Sequence, residues 1–193
     1  MTCKDWIKMA ILGWICLCFG ITTGLAQEWN RVDRSVSSFP QQWEGTWTGT
    51  LQIHFPGAAP REVPMRLNIQ PEDSQQWSWE LIYNPGEQED RRPYSLIPVD
   101  TVRGEWVIDE HNGIVLGGQV LGPVFVSRFE VGGQLLLARY GLEGDQLRFE
   151  ILAGSMDGQE TGGPQPDEPP LEATPMVTWY GVNVYQVALL RRE

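Results

Sequence analysis

From Trp43 onward the chain alternates apolar and polar residues in short runs, each stopped by Gly, Pro, Asn or Asp. Alternation with a period of two gives a strand one apolar and one polar face. In the run 45–55, Trp47, Leu51, Ile53 and Phe55 share one face, while Thr46, Thr48, Thr50, Gln52 and His54 share the other. Further runs fall at 63–69, 76–83, 94–99, 104–109, 114–120, 124–131, 134–140, 146–152 and 176–190. The Asn112-Gly113 pair between the fifth and sixth runs is a strong hairpin signal, because both residue types tolerate positive φ. No stretch keeps an apolar stripe at i, i+3, i+4, i+7 through three turns. The pattern therefore predicts an all-β fold, a single antiparallel up-and-down barrel of about ten strands. Closure would remove the exposed edges that such a long meander leaves.

One segment interrupts the rhythm. Residues 154–175 hold Gly, Pro and five acids (Asp157, Glu160, Asp167, Glu168, Glu172), with no base and few apolar side chains. Such a composition buries too little surface to order itself. The expectation is a disordered acidic loop, with a lid or partner-binding role as the alternative for a loop this long.

The first 26 residues read differently from the rest. Lys4 and Lys8 precede an apolar run from Met9 to Ile21, and a small, polar stretch ending in Gly24-Leu25-Ala26 follows. That order is the layout of a cleavable secretory signal peptide, with cleavage expected after Ala26 and a secreted or periplasmic destination. The run is shorter than the roughly 20 apolar residues of a membrane-spanning helix. A retained anchor is the alternative. Lipid attachment fits poorly, since Cys16 follows Ile15 and Cys18 follows Leu17. Residues 27–42 are polar and without period, a lead-in to a barrel domain spanning 43–193.

Cleavage would change the chemistry of what remains. Cys3, Cys16 and Cys18 all lie in the leader, so the mature chain would have no disulfide, thiol nucleophile or thiolate metal site. Of 14 basic and 25 acidic residues, Lys4, Lys8 and Asp5 fall there, leaving 12 arginines and 24 acids. That balance argues against nucleic acid, which needs a basic face. A chain of about 165 residues is enough for one core and too short for two. Oligomeric state is left open.

The ends of the domain carry a resemblance. Glu44-Gly45-Thr46-Trp47-Thr48-Gly49 resembles the Gly-x-Trp opening of the lipocalins and their calycin relatives, in which a Trp on the first strand closes one end of the barrel. In that group an Arg at the end of the last strand packs across the Trp, and Arg191 (or Arg192) stands in the right place. The resemblance implies Trp47 and Arg191 as the closure, joined by cation–π attraction. It also implies a small, mostly apolar molecule bound inside. The lack of a disulfide and of a C-terminal helix points toward the fatty-acid-binding or bacterial lipocalin-like branch. Residues 94–152 are also similar in texture to secreted bacterial proteins of unassigned activity.

Candidate ligand-wall residues are Trp77, Trp79, Tyr83, Trp106, Phe125, Phe129, Phe149 and Tyr185. Trp77, Trp79 and Tyr83 share a face, which packs the core if it points inward and makes a sugar-stacking platform if it points outward. Arg139 is the candidate anchor for a ligand carboxylate if it faces inward with Leu135 and Leu137. If Leu136, Ala138 and Tyr140 face inward instead, Arg139 lies in water. A cavity of a few hundred Å³ is expected for such a ligand.

Other chemistry is thinly supported. Asp109-Glu110-His111 could suggest a metal site, but neighbouring strand residues diverge and a turn explains them. There is no Gly-x-Ser-x-Gly elbow, and Gly117-Gly118 and Gly132-Gly133 lie between strands, not before a helix. No metal or cofactor is expected. The leading expectation is an exported, lipocalin-like protein that binds a small apolar or amphipathic molecule. An extracellular interaction or carbohydrate-binding module with a filled core is the second reading, and a calycin-type enzyme the third.

Overall fold

The computed structural model describes residues 39–86, 88–164 and 174–193 of the chain. The expected signal peptide, most of the expected lead-in and residues 165–173 of the acidic loop lie outside the described residues. Ten strands close into an antiparallel barrel, each paired with its neighbour in sequence. They are β1 (Gly45–His54), β2 (Arg61–Pro71), β3 (Trp77–Tyr83), β4 (Asp90–Asp100), β5 (Glu105–Asp109), β6 (Val115–Leu121), β7 (Val124–Val131), β8 (Gln134–Glu143), β9 (Gln146–Ser155) and β12 (Val184–Arg192). The expected all-β, up-and-down barrel of ten strands is the observed fold.

Two expectations about the C-terminal third are corrected. The expected single last strand is broken at residues 181–183, so β11 (Met176–Tyr180) leaves the barrel and only β12 completes it. Part of the expected disordered loop is a strand, β10 (Gly158–Gly162), which pairs with β11 as a two-stranded arm. Every residue of that arm is exposed. Tyr180 lies over Gly158, where a Cβ would meet its ring, so cross-strand aromatic packing compensates for glycine-poor contacts.

The turn between β5 and β6 also differs in detail. Positive φ falls on His111 and Gly113, at 58° and 95°, and not on Asn112. The Asp109 carboxylate accepts the His111 backbone N–H at 2.8 Å and the Asn112 side chain accepts that of Ile114 at 2.9 Å. These local side-chain bonds set the turn over residues 110–113, where the sequence places it.

The seam between β1 and β12 sets the closure. Register pairs Trp47 with Arg192 and Thr48 with Arg191. Since faces alternate, Arg191 points outward and Arg192 crosses the end of the barrel. Arg192 is therefore the closing residue, and the assignment to Arg191 is corrected. Its guanidinium lies 4.5 Å from the Trp47 ring centroid and donates to the Gln42 carbonyl at 2.8 Å. Gly45, at φ 139°, leaves room for it, because a Cβ there would sit 3.3 Å from Arg192 Nε.

Candidate ligand-binding site

The interior is divided along the barrel axis. At the end closed by Arg192, Trp43, Trp47 and Trp79 are almost wholly buried with Phe125, Leu67, Ile69, Leu96 and Leu147. Phe39 seals this layer, 4.9 Å from Trp43 and 5.1 Å from Trp106 between ring centroids, edge to face in both cases. Trp79 meets Tyr140 edge-on at 5.0 Å and Phe125 at 5.8 Å. Edge-to-face pairs of this kind add to the gain from burying so much ring surface. The indole of Trp47 donates to the Trp43 carbonyl at 2.8 Å, and that of Trp77 donates to Glu44 at 2.9 Å. This half is full.

Toward the other end the inward residues of each strand become smaller or more polar. Along β3 the order is Trp77, Trp79, Leu81, Tyr83; along β4, read from the closed end, it is Leu96, Tyr94, Arg92. β5 passes from Trp106 through Ile108 to Glu110, and β7 from Phe125 through Ser127 to Phe129. The result is a cavity of about 110 Å³ whose wall includes Tyr83, Arg92, Tyr94, Glu110, Ser127 and Phe129. It is smaller than the few hundred Å³ expected for a ligand taken in whole.

Charge and hydrogen bonding are concentrated at this mouth. The Arg92 guanidinium lies 5.0 Å from the Tyr83 ring centroid and donates to Asp90 at 2.8 Å. The hydrogen bond that Arg92 donates to Asp90 raises its pKa, fixing its positive charge. Burial raises the pKa of Tyr83 and of Tyr94, outweighing the pull of Arg92 toward the phenolates. Burial likewise pushes Tyr140, deeper in the cavity, well up from its ordinary 10.0. All three phenols remain neutral donors across the physiological range. Ser127 donates to the Gly117 carbonyl at 2.7 Å and is already satisfied.

The candidate wall residues fall into three groups. Trp77, Trp79, Trp106 and Phe125 point inward but belong to the packed half. Tyr83, Phe129 and Phe149 line the cavity. Tyr185 and Arg139 stand outside the barrel. Tyr185 donates to Glu150 at 2.7 Å and stacks on His54 at 5.8 Å, and Arg139 pairs with Glu150 at 2.7 Å. The inward residues of β8 are Leu136, Ala138 and Tyr140, so the placement of Arg139 as an interior anchor is corrected. Trp77 and Trp79 also form no outward platform.

Asp109, Glu110 and His111 go separate ways. Asp109 caps the turn, Glu110 lines the cavity, and His111 Nε2 lies 3.0 Å from the Ser95 hydroxyl. Ser95 is buried and also within hydrogen-bond reach of Glu72, at 3.2 Å, and Gln76, at 3.0 Å. This cluster ties the β5–β6 turn to the wall.

Sequence reasoning missed Arg92, Tyr94, Glu110 and Tyr140. Pro93 is the cause for Arg92, which lies outside the run 94–99, since a proline demotes the residues beside it from strand to loop. Here β4 begins at Asp90, but its pairing with β5 starts only at Ser95↔Asp109. Pro93 thus faces no strand on that side and costs no ladder bond.

Among solved structures, the chain is similar to the S-type phycobiliprotein lyase CPES of Guillardia theta, at 14% identity and TM-score 0.53, over 82% of this chain and 92% of that one. It also matches Rv2717c from M. tuberculosis at 14% identity and TM-score 0.49, over 82% and 97% of the two chains. A variant of the fluorescent protein UnaG matches at 12% and 0.40, over 79% and 97%. The likeness to the lyase and the closed ten-strand barrel together make this a calycin-like fold. No family model matches the sequence, and no curated protein does either.

Proposed function

We propose that this chain is an exported binding protein that takes one end of a small amphipathic molecule into the open end of its barrel. The polar end of the ligand meets Arg92, Tyr83 and Tyr94, and its apolar part lies against Phe129, Phe149 and Ile151. The observation that carries this reading is the coincidence of empty space with donors. The interior cavity is where an arginine and three phenols gather, while the remainder of the core is packed apolar surface. Polar groups on a core face cost stability unless they are paired; Arg92 already donates to Asp90, and a bound acceptor would take up the donors left over. A volume of about 110 Å³ suits a head group better than a whole drug-sized molecule. Export is supported by the order of basic, apolar and small residues in 1–26.

Native mass spectrometry of protein purified from its own host tests both parts. The expected result is a chain whose mass begins at Gln27 and that carries a small molecule lost in Arg92→Gln. A chain that never holds a ligand, with Arg92→Gln indistinguishable from wild type in titrations with a fluorescent polyene carboxylate, would refute the binding reading. A mass that includes Met1–Ala26 would refute the export reading.

A further inference from the structure

The larger empty spaces lie outside the barrel. A groove of about 300 Å³ runs where the β10–β11 arm leaves the wall. Its floor is the outward face of β8 and β9, with Leu135, Leu137 and Leu152, and its far side is Tyr180 and Val182. Leu152, Tyr180 and Val182 are 38%, 52% and 60% exposed. Outward positions of a barrel ordinarily carry polar side chains, as Thr46, Thr48, Thr50 and Gln52 do on β1. Five apolar residues facing one groove call for an occupant.

The walls are fixed by backbone contacts. Gly154 packs directly on Gly181, where a Cβ would collide with the Gly181 carbonyl. The Asn183 N–H donates to the Ala153 carbonyl at 3.0 Å, and the Met156 N–H to that of Gly133 at 3.3 Å. Both ends of the arm are thereby tied to the barrel at the groove, which is preformed.

Charge decides what the groove takes. Arg128 on β7 is the charged side chain that lines it. The outward arginines of the β8–β9 wall have carboxylate partners within the chain, Arg139 with Glu150 and Arg148 with Glu143. Arg128 has none among the described residues. Arg128 also borders a second outer groove of about 440 Å³, but there Glu105 lines the wall beside Gln119, and that carboxylate opposes an anion.

We infer that the groove between the arm and the β8–β9 wall is a second binding site, for a small amphipathic anion. A carboxylate or sulfonate pairs with Arg128, and an apolar or aromatic body lies on Leu137 and Leu152 beneath Val182. This site is independent of the mouth cavity and stands whether or not that cavity binds a ligand.

The probe is the aromatic sulfonate 8-anilinonaphthalene-1-sulfonate, titrated into the full mature chain and followed by fluorescence and calorimetry. One saturable site that depends on Arg128 is expected, in addition to any binding at the mouth cavity. Arg128→Gln weakens it at least tenfold, as loss of a charge-assisted hydrogen bond does, and Val182→Asp abolishes it. Arg92→Gln, at the barrel mouth, and Val99→Asp, in the other outer groove, leave it within twofold. All four substitutions are at exposed positions, and unchanged melting curves show that each variant is folded. Binding that survives Arg128→Gln and Val182→Asp would overturn the inference. So would binding that is lost instead in Arg92→Gln or Val99→Asp.

Discussion

The two ends of this barrel are built from the same strands and put to opposite uses. At the closed end, Trp43, Trp47, Trp79 and Phe125 fill the section so completely that none is more than 2% exposed. At the open end the same strands present Tyr83, Arg92, Glu110 and Phe129 around space. The comparison teaches that stability and binding are segregated along the barrel axis, not between strands. Strands β3, β4 and β7 each contribute a core residue at one end and a candidate contact at the other. A close-packed layer holds the walls in place, and the opposite rim is thereby free to carry groups that would weaken a core.

Substitutions at the two ends of the barrel put that division to the test. Trp79→Ala should produce the largest effect, a loss of about 4 kcal/mol, as expected for deleting a buried Trp. In a domain of this size, that lowers the melting temperature by roughly 10 °C. Phe129→Ala, at the open end, should cost about half as much in the same urea or thermal melts. Equal losses would break the comparison.

The closure gives the next largest difference. Arg192→Ala removes the stacking on Trp47 and the bond to Gln42, and about 1–2 kcal/mol should be lost. Arg191→Ala, one residue away on the outer face, should fall within about 0.5 kcal/mol of wild type. Chemical denaturation of the pair would show which arginine closes the barrel.

Alkaline titration sharpens the contrast through the phenols. Burial raises the pKa of Tyr140, Tyr83 and Tyr94 above the ordinary 10.0. Above pH 10 the unfolded chain releases these protons while the folded one keeps them. Stability is therefore fully present below pH 10 and falls as pH rises toward the raised values. Tyrosinate absorbance near 295 nm should lag in the native protein and jump on unfolding, and Tyr140→Phe should reduce that jump.

The smallest effect should come from the outer wall. Burial pushes the Glu150 carboxyl up, but hydrogen bonds from Tyr185 and Arg139 outweigh it, and its pKa falls below 4.5. The stability this contributes is present above pH 4.5 and disappears as pH drops through the lowered value. Acid melts of Arg139→Gln should show a shallower decline below pH 4.5 than wild type, by a few tenths of a kcal/mol for so exposed a pair.

Much of the fold was legible because alternation reports faces directly. Trp47, Leu51 and Ile53 share the inward face, as the sequence pattern says. What alternation does not report is which face is inward when both are apolar. Strand β8 reads Leu135-Leu136-Leu137-Ala138-Arg139-Tyr140, and either set could have packed inside. Register with β9 decides it, since Tyr140 meets Phe149 and Arg139 meets Glu150. Arg191 and Arg192 posed the same one-residue ambiguity, resolved by pairing with β1. The mouth was hidden for another reason. Its polar residues sit at the ends of strands, where Pro93 in β4 and the turn after β5 made the sequence look like loop.

The seam between β1 and β12 also governs how the protein comes to be folded. Trp47 pairs with Arg192 across nearly the whole described chain, and Ala188 on that last strand is buried against Leu51. Until β12 arrives, β1 and β9 are two bare edges, open to the wrong partners. Contacts so far apart in sequence are slow to form because the loop entropy is spent before any reward. The barrel therefore has no complete precursor: until strands from opposite ends of the described chain meet at this seam, the wall stays open.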